Sequence, residues 1–313
     1  MNKNNIKKLV LFLMGPTGSG KTTLAMKLRR YLPIELISVD SALIYKYMDI
    51  GTAKPTNTQL LKHPHKLINF KDPLDIYSVV EFRNDALKSI QEILNIGKIP
   101  LLVGGTMFYY YVLLHGISTL PSSSAILRKR FLKYKKNNLI FLLHKYLSIL
   151  DFESSQRIHY CDFYRIVRAL EICLVTGKTH RVVHSNQNHT FLYNVLQFAL
   201  IPPKNYLQYN IKNRFYGMLK QGFEDEVKKL FHRGDLNCEL PSMRCIGYRQ
   251  MWSYFSNRIS YNDMVYQSIL ATNLLCKKQM NWLRKWENIH LLYACNIHDL
   301  VKEVLYHTSK IVN

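Results

Sequence analysis

Short apolar runs alternate with amphipathic stretches along much of the chain. The runs are LVLFLM (residues 9–14), IELISVD (34–40), KIPLLVGGT (98–106) and YNVLQFALIPP (193–203). Nearly continuous apolar runs of this length are typical of strands buried on both faces of a parallel sheet. Residues 21–31 and 80–95 have helical patterns, and the second places Val80, Leu87, Ile90 and Leu94 on one side. This alternation predicts an α/β fold built on a doubly wound parallel sheet.

A segment of different composition interrupts this pattern. Residues 117–190 are helical in pattern, basic and poor in strand formers, and the polar stretches STLPSSS and HSNQNHT open and close them. Residues 51–78 are rich in loop signals, and long helical segments follow at 207–232 and 262–286. We therefore predict an α/β core of residues 1–116 and 191–313 with an all-helical subdomain inserted at 117–190.

The first apolar run leads into GPTGSGKT, which fits the pattern G-x-x-x-x-G-K-[ST] in full. Between a strand and a helix, such a P-loop directs backbone N–H groups at phosphate oxygens. Lys21 would reach the terminal phosphate, and Thr22 would hold a magnesium ion. A glycine turn that binds no phosphate is the less favoured alternative. The predicted diphosphate or nucleotide site comprises Gly15, Pro16, Thr17, Gly18, Ser19, Gly20, Lys21 and Thr22.

Two more strand ends should lie beside this loop, because ligands of open α/β sheets bind at the carboxyl ends of the strands. Asp40 follows the second run, and Gly104, Gly105 and Thr106 end the third. Asp40 is placed to act as a general base toward an acceptor beside the phosphates. An indirect contact to magnesium or a helix cap fits its spacing equally well. The third run ends without the carboxylate that orients magnesium and water in nucleotide hydrolases, which argues against that class.

Composition adds a polyanionic partner to this picture. The 313-residue chain has 43 Lys and Arg against 21 Asp and Glu, a net charge of +22. Such an excess favours nucleic acid or an anionic membrane surface, although a generally basic composition gives the same value. Residues 122–150 contain no acidic residue but seven basic ones, so phosphate contacts are expected there. The seven are Arg128, Lys129, Arg130, Lys133, Lys135, Lys136 and Lys145.

The compartment is expected to be the cytoplasm. The six cysteines form no C-x-x-C pair, which favours reduced thiols. No apolar run is long enough to span a bilayer. The N-terminal lysines and apolar run mimic a secretory signal, but the run leads directly into the glycine loop with no small-residue cleavage site.

Three segments combine basic and aromatic residues. In residues 162–172, Arg165 and Arg168 share one helix face, and similar combinations recur at 244–252 and 277–286. The first alone is more typical of a solvated amphipathic helix, and no single segment is sufficient evidence of nucleic-acid binding. Together, on so basic a chain, they favour a surface that stacks on bases and binds phosphates. Within residues 244–252, the aromatic residues predicted to stack are Tyr248 and Trp252.

Together these motifs resemble the bacterial-type tRNA dimethylallyltransferases, also called tRNA isopentenyltransferases or the IPP transferase family. The resemblance covers most of the chain and is carried by GPTGSGKT, ELISVDSALIYKYMDIGTAKP, PLLVGGTMFYY, RALEI…TGK, GF…EV and LPSMRCIGYRQMW. It implies transfer of a dimethylallyl group from dimethylallyl diphosphate to N6 of tRNA adenosine 37, immediately 3′ of the anticodon. The tRNAs would be those reading codons that begin with U, and the products would be N6-isopentenyladenosine and pyrophosphate.

The resemblance also assigns roles to residues. Asp40 matches the family's general base, and Arg214 matches an arginine that contacts the diphosphate. Lys21, the loop amides and Mg²⁺ at Thr22 would neutralise the leaving diphosphate. The insertion would clasp the anticodon stem, and a single chain with such a clasp is expected to act as a monomer. The residues expected to contact tRNA are Asp40, Ser41, Ala42, Leu43, Thr106, Arg128, Tyr164, Arg165, Ile166, Val167, Arg168, Arg244, Cys245, Ile246, Gly247, Tyr248, Arg249, Lys277, Lys278, Gln279, Met280, Asn281, Trp282, Leu283 and Arg284.

The chain departs from the family at two positions, and other functions have to be weighed against the resemblance. Asn69 replaces a common carboxylate, and Cys161 replaces a common asparagine; both are expected to affect local hydrogen bonding only. The chain ends at Asn313 without the zinc-finger extension of eukaryotic relatives, which favours the bacterial type. A small P-loop kinase would explain the loop and Asp40 but not the basic insertion. A non-catalytic RNA-binding nucleotidase conflicts with the missing carboxylate, and an enzyme that prenylates free adenosine nucleotides would not need the basic segments.

Overall fold

The computed structural model describes residues 9–116, 121, 124–179, 191–293 and 296–312, and it contains a six-stranded parallel sheet. The strands are β1 (Leu9–Met14), β2 (Ile34–Val39), β3 (His65–Lys66), β4 (Ile99–Gly104), β5 (Asn194–Leu200) and β6 (His290–Leu292). Their order is β3-β2-β4-β1-β5-β6, and all the pairs are parallel. The four apolar runs form β1, β2, β4 and β5, which confirms the predicted α/β sheet. The short edge strands β3 and β6 have no counterpart in the sequence prediction.

Helices make up the remainder of the regular structure that is described. In the first part of the chain they are α1 (Lys21–Leu28), α2 (Asn57–Lys62), α3 (Val79–Asn95) and α4 (Met107–His115). The middle part contains α5 (Ala125–Lys136), α6 (Ile140–Leu150), α7 (Phe152–Arg157) and α8 (Phe163–Thr176). The last part contains α9 (Lys204–Lys220), α10 (Phe223–Phe231), α11 (Tyr248–Phe255), α12 (Tyr261–Arg284) and α13 (Ile297–Val312). No helix of the described residues is long and apolar enough to cross a membrane.

The central strands end level with one another. Every residue of β1 and β4 is buried, as expected of strands covered on both faces. In the register of the sheet, Gly104 pairs with Met14 on one side and with Val39 on the other. The residues that follow these strands, Gly15 and Asp40 among them, are therefore brought to the same edge.

Helix α3 shows how local sequence sets an element that supports this edge. Ser78 and Glu81 form a capping box: Ser78 Oγ accepts the N–H of Glu81 at 3.2 Å, and Glu81 Oε2 accepts the N–H of Ser78 at 2.8 Å. Phe82 and Ile90 lie on its buried face. Val80, which the pattern placed on one side with Ile90 and Leu94, is 46% exposed and lies in the first turn, outside the buried stripe.

The predicted continuous helix at 207–232 is interrupted at Gly222. Its φ of 93° is left-handed, a conformation that ends α9 and allows α10 to start in a new direction. Helices α11 and α13 are absent from the sequence prediction, and α2 lies in the stretch predicted as loop.

Both faces of the sheet are covered by helices. Side chains of α1 and α13 pack with those of β1, β2, β4, β5 and β6 in one apolar cluster. On the other face, Tyr110 of α4 places its ring 4.9 Å from that of Phe12. Its hydroxyl lies 3.1 Å from the carbonyl oxygen of Leu102 and 3.3 Å from that of Leu13. This buried polar group is thereby satisfied.

Residues Leu114–Phe191 form a compact unit of their own, distinct from the unit of residues 1–113 and 192–313. Helices α5, α6 and α8 surround an apolar core in this helical unit. Its buried residues include Phe131, Leu143, Leu147, Phe163, Ile166, Val167, Ala169 and Leu170. The predicted limits of the insertion, residues 117 and 190, lie outside the described residues.

The close approach of β2 and β4 predicts a large effect of one methyl group. A Cβ on Gly104 would collide with the carbonyl oxygen of Val39, which is backbone and has little freedom to move. Gly104→Ala should lower the free energy of unfolding by about 3 kcal/mol, measured by urea denaturation.

Gly217→Ala is the matched control for this change. A Cβ on Gly217, inside α9, would have its nearest neighbour at 4.0 Å. The control should raise the free energy of unfolding by roughly 0.5–1 kcal/mol, because alanine favours helix. Equal effects of the two substitutions would contradict the tight packing of β2 on β4.

Candidate active site

The P-loop lies between β1 and α1, at the level edge of the sheet. Gly18 and Gly20 have φ values of 80° and 90°, in the left-handed region that glycine tolerates best. A Cβ on Gly15 would lie 2.9 Å from the carbonyl oxygen of Leu200, so this position is closed to larger residues. The glycines of the motif therefore serve the shape of the loop, whose N–H groups and following helix N-terminus suit an anion.

Lys21 is the cation of this loop. Its Nζ donates to the carbonyl oxygen of Pro16 at 2.7 Å and lies 3.4 Å from Ser19 Oγ. Desolvation lowers the pKa of Lys21 to about 8; the negative charge of Asp40 opposes this shift, and Arg214 adds to it. The site thus holds an ammonium group that an anionic ligand would stabilise.

Asp40 is fixed at the end of β2. Its Oδ1 accepts the N–H groups of Ala42 at 2.8 Å and of Leu43 at 3.3 Å, a turn that a short carboxylate side chain closes readily. These bonds give the carboxylate a set orientation at the sheet edge, where a general base has to be held in place.

Helix α9 contacts the P-loop through two side chains. Arg214 Nη2 donates to Thr17 Oγ1 at 2.7 Å, and Asn210 Nδ2 donates to the carbonyl oxygen of Gly18 at 3.1 Å. The sequence analysis found Arg214 but missed Asn210. The available signal was its position four residues before Arg214, on the same face of the helix.

Gln279 of α12 joins the P-loop to the end of β4. Its Oε1 accepts the N–H of Thr17 at 2.9 Å, and its Nε2 donates to the carbonyl oxygen of Gly105 at 2.9 Å. The residue is only 8% exposed. The amide therefore makes one bond through each of its polar atoms inside the protein.

Two cavities meet at this edge, one of about 670 Å³ and one of about 520 Å³. The smaller contains the P-loop with Lys21 and Thr22. The larger is bordered by Arg244, Arg249 and Lys278, so its polar wall is basic. Six residues line both cavities and form the boundary between them: Thr17, Asp40, Thr52, Gly105, Arg214 and Gln279.

A model of the family described as IPP transferase matches residues 43–286. The tRNA dimethylallyltransferase of Buchnera aphidicola subsp. Acyrthosiphon pisum (strain APS) is 51% identical over 309 residues, which cover 97% of each chain. The chain belongs to the IPP transferase family. The enzyme of the same name from B. aphidicola subsp. Baizongia pistaciae (strain Bp) is 49% identical, over 98% of this chain and 95% of its own.

A solved structure gives the same result for the fold. The full-length tRNA isopentenylpyrophosphate transferase of Bacillus halodurans aligns with a TM-score of 0.71 at 30% identity, over 97% of this chain and 96% of that chain. None of these three relatives bears the name of a kinase, so the kinase alternative gains no support from them.

The structure brings together many of the residues expected to contact tRNA in this family. Those that line the larger cavity are Asp40, Ser41, Ala42, Thr106, Arg244, Cys245, Ile246, Gly247, Arg249, Lys278, Gln279 and Trp282. Leu43 lines the smaller cavity instead. On α12, Lys277, Asn281 and Arg284 are exposed beside this group but do not line either cavity.

Several of these expectations need correction, because the side chains are part of the protein interior. Tyr248 is fully buried and its hydroxyl donates to Glu226 Oε1 at 2.5 Å; Trp252 packs at 4.8 Å from the ring of Phe231. Neither ring is available to stack on a base. Leu283 is likewise buried. Met280, another α12 residue expected to contact tRNA, packs against an apolar cluster of α9 and α12.

The helical unit needs a similar correction. Ile166 and Val167 belong to its core and expose almost no side chain. Arg128 and Arg168 both bind the buried carboxylate of Glu171, at 2.8 Å and 3.4 Å. A buried carboxylate requires such partners, so part of this basic charge serves the fold.

Two of the residues expected to contact tRNA in the helical unit, Tyr164 and Arg165, are exposed. Arg165 is 76% exposed at its side chain and pairs with Asp162 at 3.3 Å. Tyr164 is exposed and accepts a hydrogen bond from Lys135 Nζ at 3.1 Å.

Glu226 is a supporting residue that the sequence analysis quoted only within GF…EV. Its Oε2 accepts the N–H groups of Asp49 at 2.8 Å and Ile50 at 2.7 Å, and its Oε1 accepts that of Gly51 at 3.1 Å. These bonds hold the loop that supplies Thr52 to both cavities.

Of the two departures from the family, Asn69 has a local explanation in the structure and Cys161 has none. Asn69 has a φ of 60°, which asparagine tolerates, and its Oδ1 accepts a hydrogen bond from Lys54 Nζ at 3.1 Å. Lys54 also pairs with Asp49 at 2.6 Å, so this lysine still has a carboxylate partner although residue 69 is an asparagine. Cys161 is exposed, and nothing in the structure explains its presence.

The residues present fit magnesium only as an ion that arrives with a phosphate ligand. Among the described residues, no group of three His, Cys, Asp or Glu side chains is close enough to hold a metal ion. Thr22 and Asp40 do line the smaller cavity together. Magnesium is commonly held by one or two protein oxygens and completed by substrate phosphates and water, and Thr22 would supply such an oxygen.

The lowered pKa of Lys21 predicts how anion binding depends on pH. Affinity for inorganic pyrophosphate, measured by titration calorimetry, should fall as the pH rises above about 8, because only the protonated amine attracts the anion. In Lys21→Arg this contribution should vanish, since guanidinium stays protonated throughout the range. Ionisation of pyrophosphate affects both proteins equally and cancels in the comparison. The same decline in both would show that Lys21 is not the titrating group.

Proposed function

We propose that this member of the IPP transferase family transfers a dimethylallyl group from dimethylallyl diphosphate to N6 of the tRNA adenosine immediately 3′ of the anticodon. The tRNAs would be those reading codons that begin with U. One observation carries the proposal: Asp40 lies on the boundary between a cavity with a P-loop and a cavity with a basic wall. A base at that boundary can act on an acceptor while the donor occupies the other side.

The smaller cavity suits the diphosphate of the donor. Gly18, Gly20, Lys21 and Arg214 line this space, and the two cations together with loop N–H groups would bind the oxygens of the diphosphate. As the C1–O bond of the donor breaks, negative charge grows on the departing pyrophosphate. These cations are already in place to stabilise that charge, which is the largest contribution expected here.

The larger cavity suits the acceptor base. The lone pair of adenine N6 is delocalised into the ring, so this nitrogen is a weak nucleophile. As N6 forms its bond to C1 of the dimethylallyl group, it must lose one proton. Asp40 would take that proton and pyrophosphate would leave with the electron pair of the C1–O bond, so that N6-isopentenyladenosine results.

Magnesium would be held by Thr22 and by the diphosphate, and would supply positive charge to the leaving group. The chain's own cations, Lys21 and Arg214, act beside it in the same cavity.

A nucleic-acid acceptor explains the distribution of charge better than a free nucleotide does. A base inside an anticodon loop must leave its stack to enter a cavity, and basic residues around the entrance would hold the flanking phosphates. Arg244, Arg249 and Lys278 line the larger cavity and would make these contacts. We assign tRNA binding also to the helical unit, with the protein acting as a monomer in the cytoplasm, where its substrate occurs.

Radiolabelled dimethylallyl diphosphate provides the test of this function. With magnesium and an unmodified tRNA carrying adenosine 3′ of the anticodon, the label should enter that tRNA. A tRNA with guanosine at the same position should remain unlabelled. Label found only in free AMP, or phosphate transferred from ATP, would refute the proposal.

Asp40→Ala should lower kcat for tRNA by roughly two to four orders of magnitude, the usual contribution of a general base. The matched control is Asp299→Asn, an exposed carboxylate on α13 that lines neither cavity, which should leave kcat unchanged. Turnover that survives in Asp40→Ala would show that another group accepts the proton.

Removal of one phosphate contact should appear in the salt dependence of RNA binding. Arg165→Gln should weaken affinity for tRNA and reduce the slope of log affinity against log salt by about one. The slope is measured by fluorescence anisotropy at several salt concentrations. An unchanged slope would remove Arg165 from the proposed contact surface.

A further inference from the structure

Gln279 occupies an unusual position for a residue expected to contact tRNA. It lies on α12, next to Lys278 and three residues before Trp282. All three residues line the larger cavity. Its own side chain is buried, and both polar atoms of the amide are bonded to backbone of other elements. At 8% exposure, the residue offers little surface to a ligand in the larger cavity, and the contacts that the structure shows for its amide are to backbone.

We propose that Gln279 is a positioning residue for the donor: it holds the P-loop in the shape that receives the diphosphate. This rests on the proposed function, because it refines the donor half of that site. Its two bonds connect three elements that are distant in sequence, namely the loop after β1, the end of β4 and helix α12.

The consequence for the donor side runs through Thr17. The N–H of Thr17 donates to Gln279 Oε1 at 2.9 Å, which sets the orientation of this residue within the loop. Thr17 Oγ1 then accepts Arg214 Nη2 at 2.7 Å. Gln279 therefore orients Thr17, and Thr17 orients the arginine that faces the diphosphate cavity.

Gly105, the second glycine of the GGT motif and the first residue after β4, supports this assignment independently. A Cβ on Gly105 would lie 2.5 Å from Gln279 Nε2, closer than packed atoms approach. Glycine at this position thus leaves room for the amide, and the pair forms one structural unit. The two glycines of GGT are therefore required for different reasons: Gly104 packs against β2, and Gly105 leaves room for the amide of Gln279.

The experiment compares binding of the two substrates separately. Inorganic pyrophosphate with magnesium is titrated by calorimetry, and an anticodon stem-loop RNA is titrated by anisotropy at several salt concentrations. Gln279→Met, which keeps the length of the side chain and loses its hydrogen bonds, should raise the Kd of pyrophosphate about tenfold, equivalent to ~1.4 kcal/mol. The affinity for RNA and its salt dependence should stay as in the wild type.

Lys278→Met is the matched control, because it changes the neighbouring residue of α12. It should weaken RNA binding and leave the Kd of pyrophosphate unchanged. Gly105→Ala provides a second test if Gln279→Met fails to fold, because it keeps Gln279 but displaces its amide. It should also raise the Kd of pyrophosphate and leave the affinity for RNA unchanged.

Each remaining outcome has a definite meaning. An unchanged Kd of pyrophosphate in folded Gln279→Met or Gly105→Ala would overturn the proposal. Loss of RNA affinity alone would make Gln279 an RNA contact and overturn it as well. A wild-type protein that binds RNA but no pyrophosphate would refute the proposed function itself, and is thereby distinguished from failure of the positioning role.

Discussion

The close approach of two strand ends is the constraint on which the site depends. Gly104 leaves no space between the end of β4 and the carbonyl oxygen of Val39 in β2. Since Gly104 also pairs with Met14, three central strands end together. The P-loop, Asp40 and Gly105 then face one another without any long loop to bring them there. Backbone packing in the sheet thus sets the geometry that the chemistry requires.

One carboxylate among several cations gives this edge its electrostatic character. Desolvation outweighs the attraction of Asp40 in lowering the pKa of Lys21, so the amine is held at a cost that a bound anion would offset. Arg214 lies in the same cavity and further lowers that pKa. The smaller cavity would therefore suit the diphosphate of the proposed donor, while Asp40 lines both cavities.

The sequence was most informative where function depends on contiguous residues. Four apolar runs identify the central strands, and GPTGSGKT specifies the loop from local pattern alone. The edge strands β3 and β6 contain only two and three residues, too few for a periodic signal. Helix α9 was extended too far because Gly222, a residue type that commonly ends a helix in the left-handed conformation, was not taken as its end.

Residues whose roles arise from distant contacts were the least predictable. Gln279 and Glu226 act on loops more than 170 residues away in sequence, and no local pattern reports such bonds. Tyr248 and Trp252 alternate with arginines as a stacking surface would, yet their rings bury more apolar area inside the protein. In the helical unit, the buried Glu171 redirects Arg128 and Arg168 toward the fold.

The most direct measurement is a crystal structure of the protein with pyrophosphate, magnesium and an anticodon stem-loop RNA. The arrangement predicts pyrophosphate on the P-loop and the extruded adenine in the larger cavity. N6 of that adenine should lie within about 2.6–3.2 Å of the Asp40 carboxylate. An adenine bound away from Asp40, or seated on the P-loop as part of a nucleotide, would contradict the assignment of donor and acceptor to the two cavities.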